Sequence, residues 1–330
     1  MASRSPSAFE QTTENEENLE SIITKSFLNL EKLDVDLYRS RTLWQPRGGR
    51  AVFGGQVVGQ ALAAASYSVQ PDHHAHSIHC YFLRPAVQVV SGNVTIPILY
   101  TVDRTRDGNI YSSRNIKAMQ EGKAIFSMQA SFKTAETDPF QHQFTMPSVP
   151  PPEDCVDVNE LLTKAVGGEK AREYQKGIRH RVSDEDMAIL RRPVSKEMYY
   201  SSKPLTARRC VWLKTAGHLG DDYKMHQCCA AYMSDSILLG TATLPYASGH
   251  RNARGKFFMT SVDHAVWFHS EFRADEWLLY EMESPVCGEG RAFITGRMWT
   301  QDGRLVISVT QEGVVRTRKP KPEQPDLSKL

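Results

Sequence analysis

The chain has no apolar run approaching the ~20 residues a helix needs to cross a bilayer. It has no charge excess either: 40 Lys and Arg stand against 38 Asp and Glu, a net +2, which gives no sign of the concentrated basic face that nucleic acid requires. Its six cysteines (Cys80, Cys155, Cys210, Cys228, Cys229 and Cys287) include no CxxC pair, which argues against zinc or a disulfide framework and for buried free thiols. HExxH and G-x-S-x-G are both missing, so neither a zinc protease helix nor a serine-hydrolase elbow is predicted. The opening MASRSPSAFEQTTENEENLE lacks the apolar core of a secretory signal and carries too many acids for a mitochondrial presequence. Residues 1–19 read as a disordered tail.

What the chain does have is a repeat. At 330 residues two domains are the natural expectation. Two small-residue segments are expected as buried helices, Phe53 to Ala65 and Ala230 to Ala242, the second ended by Pro245. Gly54 and Gly55 open the first and would let backbone approach a ligand. Strand-like runs follow each helix: Ile78 to Arg84, Tyr111 to Met119 and Ala124 to Phe132, then Ala265 to Phe268, Trp277 to Met282, Ala292 to Trp299 and Leu305 to Gln311. The turns Glu121-Gly122 and Asp302-Gly303 overlay, and Ile125-Phe126-Ser127-Met128 then matches Val306-Ile307-Ser308-Val309. This predicts two copies of one α+β unit, each a sheet around one long helix. Under the overlay Ala130 stands opposite Gln311, with Gln129 on the other face of its strand, and Gly55 stands opposite Asp235 when the two helices are set in register. The first copy is therefore expected to be catalytically silent.

The segments GGRAVFGGQVVGQALAAAS, HSIHCYFLRP, SVDHAVWFHSEFRADEWLLYEMESP and TQDGRLVISVTQEGVVR occur in that order. Together they resemble the thioesterase II family, most closely its peroxisomal acyl-CoA thioesterase branch, over about Asn29 to Arg316. The resemblance implies an α+β double hotdog fold: an N-terminal hotdog unit over 20–137, a linker with helical segments over 138–203 such as VNELLTKAV and EKAREYQK, and a C-terminal unit over 204–317. It implies hydrolysis of acyl-CoA to fatty acid and coenzyme A without a cofactor, and a catalytic set of Asp235, Ser261 and Gln311. An internal pair of hotdog units leaves monomer and homo-oligomer equally open.

The residues themselves admit plainer readings. Asp235, placed near the start of a helix, is either a helix cap or a base favoured as an anion by the helix dipole. By composition Gln311 is a solvated strand residue and Ser261 a strand-start hydroxyl. Backbone N–H groups at Gly54 and Gly55 are candidate donors to a thioester carbonyl. The cluster His73, His74, His76 and His79 lacks metal-site spacing, and alternation sends His76 and His79 to opposite faces, His76 being the better candidate for a polar contact near the cleft. Arg104, Arg106, Arg114, Arg251, Arg254 and Lys256 are candidate contacts for coenzyme A phosphates, though most fit a solvated basic surface. The rival functions are a hotdog enoyl-CoA hydratase using Asp263 and His264, and an acyl-CoA-binding protein without activity. Finally, Ser328-Lys329-Leu330 follows the Pro-rich stretch Lys319 to Pro325 within the exposed tail 318–330. It has the form read by the peroxisomal import receptor, predicting a peroxisome-matrix protein.

Overall fold

The computed structural model describes residues 21, 23–46, 51–86, 89–90, 94–137, 139–166, 188–201, 203–246 and 256–318. The N-terminal tail, the stretch EKAREYQK, Arg251, Arg254 and Ser328 to Leu330 lie outside these residues. In chain order the strands are β1 (Leu30–Asp34), β2 (Leu37–Ser40), β3 (His74–Phe82), β4 (Val89–Val90), β5 (Val94–Thr95), β6 (Leu99–Asp107), β7 (Tyr111–Gln120), β8 (Lys123–Lys133), β9 (Ile189–Pro193), β10 (Arg208–Thr215), β11 (Phe257–Ser261), β12 (Asp263–Phe268), β13 (Leu278–Gly288), β14 (Arg291–Thr300) and β15 (Leu305–Thr317). Among the described residues the α-helices of eight residues or more are α1 (Gly54–Ser66), α2 (Val158–Val166, the predicted VNELLTKAV) and α3 (Tyr223–Ser234).

All strands but β4 and β5 belong to one antiparallel sheet, ordered β1-β2-β6-β7-β8-β3-β12-β15-β14-β13-β10-β9, with β11 paired to β15. The repeat is visible in that order: the hairpin β7–β8 leads to β3 on one side, and β14–β15 leads to β12 on the other. The halves meet where β3 pairs β12, Tyr81 opposite Asp263 and Ser77 opposite Trp267. Each half curls around its own helix, the double hotdog arrangement. On the outer face of the C-terminal half, Cys155, Trp212, Leu279 and Trp299 form a separate cluster. The proline-rich connector packs there, and Pro150 O accepts from the Trp212 indole N–H at 2.9 Å.

The two central helices pack against each other and run antiparallel. A Cβ on Gly55 would collide with Tyr232 O, and one on Gly59 would come within 3.1 Å of Cys228 O. Glycines along α1 thus allow backbone-to-backbone approach between the units. The interior is apolar, with Val57, Val58, Leu62, Ile78, Tyr100, Met128, Val266 and Ile294 all buried.

The second helix departs from expectation. It covers Tyr223–Ser234, not Ala230 to Ala242, and residues Leu239–Tyr246, Pro245 included, form a 3₁₀ helix. Its start is capped by Asp222, which accepts from Lys224 N at 3.0 Å. The polar residues that disguised its first turns are satisfied internally. Gln227 accepts from Ala75 N at 3.1 Å and donates to Ala75 O at 2.6 Å, while His226 Nδ1 accepts from Ala274 N at 3.0 Å. Asp235 therefore occupies the C-cap, where Tyr67 stands in the first unit. The expected correspondence of Asp235 with Gly55 is corrected accordingly.

Candidate active site

Three elements of the C-terminal unit converge on Asp235. Ser261 ends β11, opposite Gly313 of β15, and Gln311 lies two residues before that glycine on the same buried face. Gln311 Nε2 donates to Asp235 Oδ1 at 2.6 Å and lies 2.8 Å from Ser261 Oγ. Ser261 Oγ in turn donates to Asp235 Oδ1 at 3.2 Å. The three predicted residues thus form a closed triangle around one carboxylate oxygen. Gln311 is wholly buried, and its Oε1 has no hydrogen-bond partner.

The other carboxylate oxygen faces the opposite unit. A Cβ on Gly54 would stand 2.7 Å from Asp235 Oδ2 and 3.1 Å from the Phe82 ring, so only glycine leaves space there. Asp235 was expected near the start of its own helix; it sits instead at the negative C-terminal end of α3, against the positive N-terminal end of α1. The favourable dipole comes from the other half of the molecule. Gly55 contributes differently from Gly54, because it meets the Tyr232 carbonyl and sustains helix packing.

At the pseudo-symmetric position the first unit has Tyr67 in place of Asp235, close to the Asp222 cap of α3. Ala130 is buried on the inner face where Gln311 lies in the other half, and Gln129 points outward. That half lacks both polar groups.

His76 is not at this site. A bulge between Ala75 and Ser77 shifts the alternation of β3, so His76 and His79 both lie on the outer face, contrary to the expected split. His76 Nε2 meets Ser131 Oγ at 2.8 Å, and its ring stands edge-on to Tyr111. Arg114, expected as a contact for phosphate, is buried: its guanidinium donates to Ser68 Oγ at 2.7 Å and Asp107 Oδ1 at 2.5 Å. Arg104 pairs with Asp36 and Lys256 donates to Tyr246 O. Asp263 accepts from Glu312 N at 2.6 Å while His264 contacts Ser234 Oγ at 2.7 Å, so the two do not act as a pair. Sequence reasoning missed Phe82, Ser234 and Tyr280 around Asp235; Tyr280 Oη donates to Ser234 O at 2.7 Å. No periodicity marks Phe82 or Tyr280, because each acts on a partner far away in the chain, and Ser234, though beside Asp235, is joined to the distant His264.

Among known proteins, a family profile described as acyl-CoA thioesterase matches residues 183–314, and one described as the acyl-CoA thioesterase N-terminal domain matches 41–133. The chain is 45% identical over 303 residues to acyl-coenzyme A thioesterase 8 of Rattus norvegicus, covering 91% of each chain. It is 36% identical over 294 residues to acyl-CoA thioesterase 2 of Haemophilus influenzae, covering 88% of this chain and 95% of that one. Among solved structures, the acyl-CoA thioesterase II TesB2 of Mycobacterium marinum superposes with a TM-score of 0.67 at 36% identity, covering 90% of this chain and 98% of that one. The protein is an acyl-CoA thioesterase and belongs to the thioesterase II family.

Proposed function

We propose that this enzyme hydrolyses acyl-CoA with a water molecule activated by Asp235, with Gln311 and Ser261 orienting that water through the carboxylate they hold. The observation that carries this reading is the hydrogen-bonded triangle on Asp235 Oδ1, which pins the carboxylate and leaves Oδ2 turned toward the start of α1. A water at Oδ2 gives its proton to the carboxylate as its oxygen bonds to the thioester carbon. The tetrahedral oxyanion is held by N–H groups of the first turn of α1, at Gly54 and Gly55, where helix N–H groups have no intrahelical partner. Collapse breaks the C–S bond, and Asp235 returns the proton to the departing thiolate. No acyl-enzyme forms. The finer setting we propose is the peroxisome matrix, resting on Ser328-Lys329-Leu330.

Asp235→Asn tests the chemistry, because it keeps the shape and removes the base. Thiol release should fall by about 10²–10⁴-fold, the usual contribution of a positioned base. A variant with parental turnover would refute the assignment, as would an acyl adduct trapped on any side chain.

A further inference from the structure

We infer that His264 is a positioning residue for Asp235, acting through the hydroxyl of Ser234, and this rests on the reading of Asp235 as the base. Ser234 is the last residue of α3 and immediately precedes Asp235. Its hydroxyl donates to Ala231 O at 2.9 Å, so its single proton is engaged. In the 2.7 Å contact with His264 Nε2 the imidazole must then be the donor. The backbone of the same residue is held as well, since Tyr280 Oη donates to Ser234 O at 2.7 Å. Tyr280 can lie there because residue 296 is glycine; a Cβ at that position would stand 2.5 Å from its ring. His264, Ser234 and Tyr280 are all wholly buried.

Two further observations show why Asp235 needs such an anchor. Just beyond it, Ile237 has φ +65°, a left-handed conformation that a β-branched residue resists. The turn carrying Asp235 is therefore held by its surroundings and not by its own preference. Downstream, Arg191 donates to Ser236 Oγ at 2.8 Å; upstream, His264 and Tyr280 fix Ser234. The second observation is the other imidazole nitrogen. With Nε2 protonated, Nδ1 is a bare acceptor, buried and without a partner. An apolar side chain would fill this site without leaving such an acceptor unsatisfied, so the position serves something other than core packing. Burial also pushes the His264 pKa down despite the nearby Asp235 and Asp263 carboxylates, which keeps the ring neutral.

The inference is tested by thiol release from one acyl-CoA, with kcat and KM measured separately for the parent, His264→Leu, His264→Asn, His264→Gln and Asp235→Asn. Leu has no donor, Asn places its amide too short, and Gln can reach Ser234 with its amide nitrogen. A displaced base should cost kcat about 10–100-fold in the Leu and Asn variants. KM should stay within about twofold, and Gln should recover kcat to within about fivefold of the parent. Equal losses in Leu and Gln, or a change confined to KM, would overturn the positioning role. Ser234→Ala keeps the imidazole and removes its acceptor, so it decides the matter where His264→Leu does not fold; parental kcat in that variant would also overturn it. If Asp235→Asn is itself fully active, the failure lies in the base assignment; if it is dead while His264→Leu is normal, only this inference fails.

Discussion

Adding one methyl group at Gly54 perturbs the site without substituting any of the three polar residues. In Gly54→Ala the new Cβ would stand 2.7 Å from Asp235 Oδ2, whereas ordinary contact begins at 3.4 Å, so the carboxylate must retreat by about 0.7 Å. It cannot simply swing aside, because Oδ1 is held by Gln311 at 2.6 Å and Ser261 at 3.2 Å. Phe82 closes another direction, with ring carbons 3.1 Å from the added Cβ. A misplacement near 1 Å can cost ~10²-fold in rate, so kcat should drop by about 10–100-fold, equivalent to about 1.4–2.7 kcal/mol. Stability should not follow. Ala is the better helix former by up to ~1 kcal/mol in helix interiors, which offsets part of the local crowding. The assay is therefore paired: steady-state thiol release, and thermal unfolding of the same preparation, with Tm expected within about 4 °C of the parent. A kcat within twofold of the parent would refute the placement of Asp235 Oδ2 against Gly54. A large fall in Tm with a proportionate loss of active protein would show that the methyl acts on helix packing. Gly55 cannot serve this purpose, because its substituent meets the Tyr232 carbonyl and the packing of α1 on α3.

Gln311→Met keeps the volume and removes both donations to the triangle; hydrogen bonds to a charged group are worth ~1.5–3 kcal/mol, so kcat/KM should fall by about 10–100-fold. Its urea midpoint should fall by less than the two lost donations alone would cause, because the substitution also removes the buried, unpartnered Oε1. Asp275 provides a pH-dependent prediction for the fold. Burial opposes its charge, but the Arg273 guanidinium and Leu219 N–H outweigh it and hold the carboxyl below its ordinary range. A lowered folded pKa means the stabilisation is present above the unfolded value and is lost as pH falls through the lowered one. Urea midpoints measured from pH 6 to pH 3 should therefore decline less steeply in Asp275→Asn, and parallel curves would contradict this. For the address, a fluorescent fusion ending in Ser328-Lys329-Leu330 should collect in peroxisomes and spread to the cytosol when the three residues are deleted; peroxisomal retention after deletion would refute it.

Much of this protein was legible one-dimensionally. The turns Glu121-Gly122 and Asp302-Gly303 and the alternating runs around them locate two hairpins, because side chains alternate along a strand whatever lies beyond it. The small-residue run from Gly54 likewise announces a helix enclosed by protein. The same local rules identify Gln129 as outward-facing and Ala130 as inward-facing, and so the first unit as lacking the amide. Local rules failed where the partner was distant. The first turns of α3 look too polar to be buried until Ala75 and Ala274 supply partners for Gln227 and His226. The alternation of β3 breaks at a bulge that only its pairing with β8 reveals, which moves His76 off the site. Above all, tertiary structure decided the surroundings of Asp235. The sequence places it in the second unit, but the antiparallel packing of α1 on α3 sets it against the other unit's helix start, at Gly54. A helix end and a carboxylate so far apart in the chain meet only because the two halves join edge to edge, and no local pattern encodes that pairing.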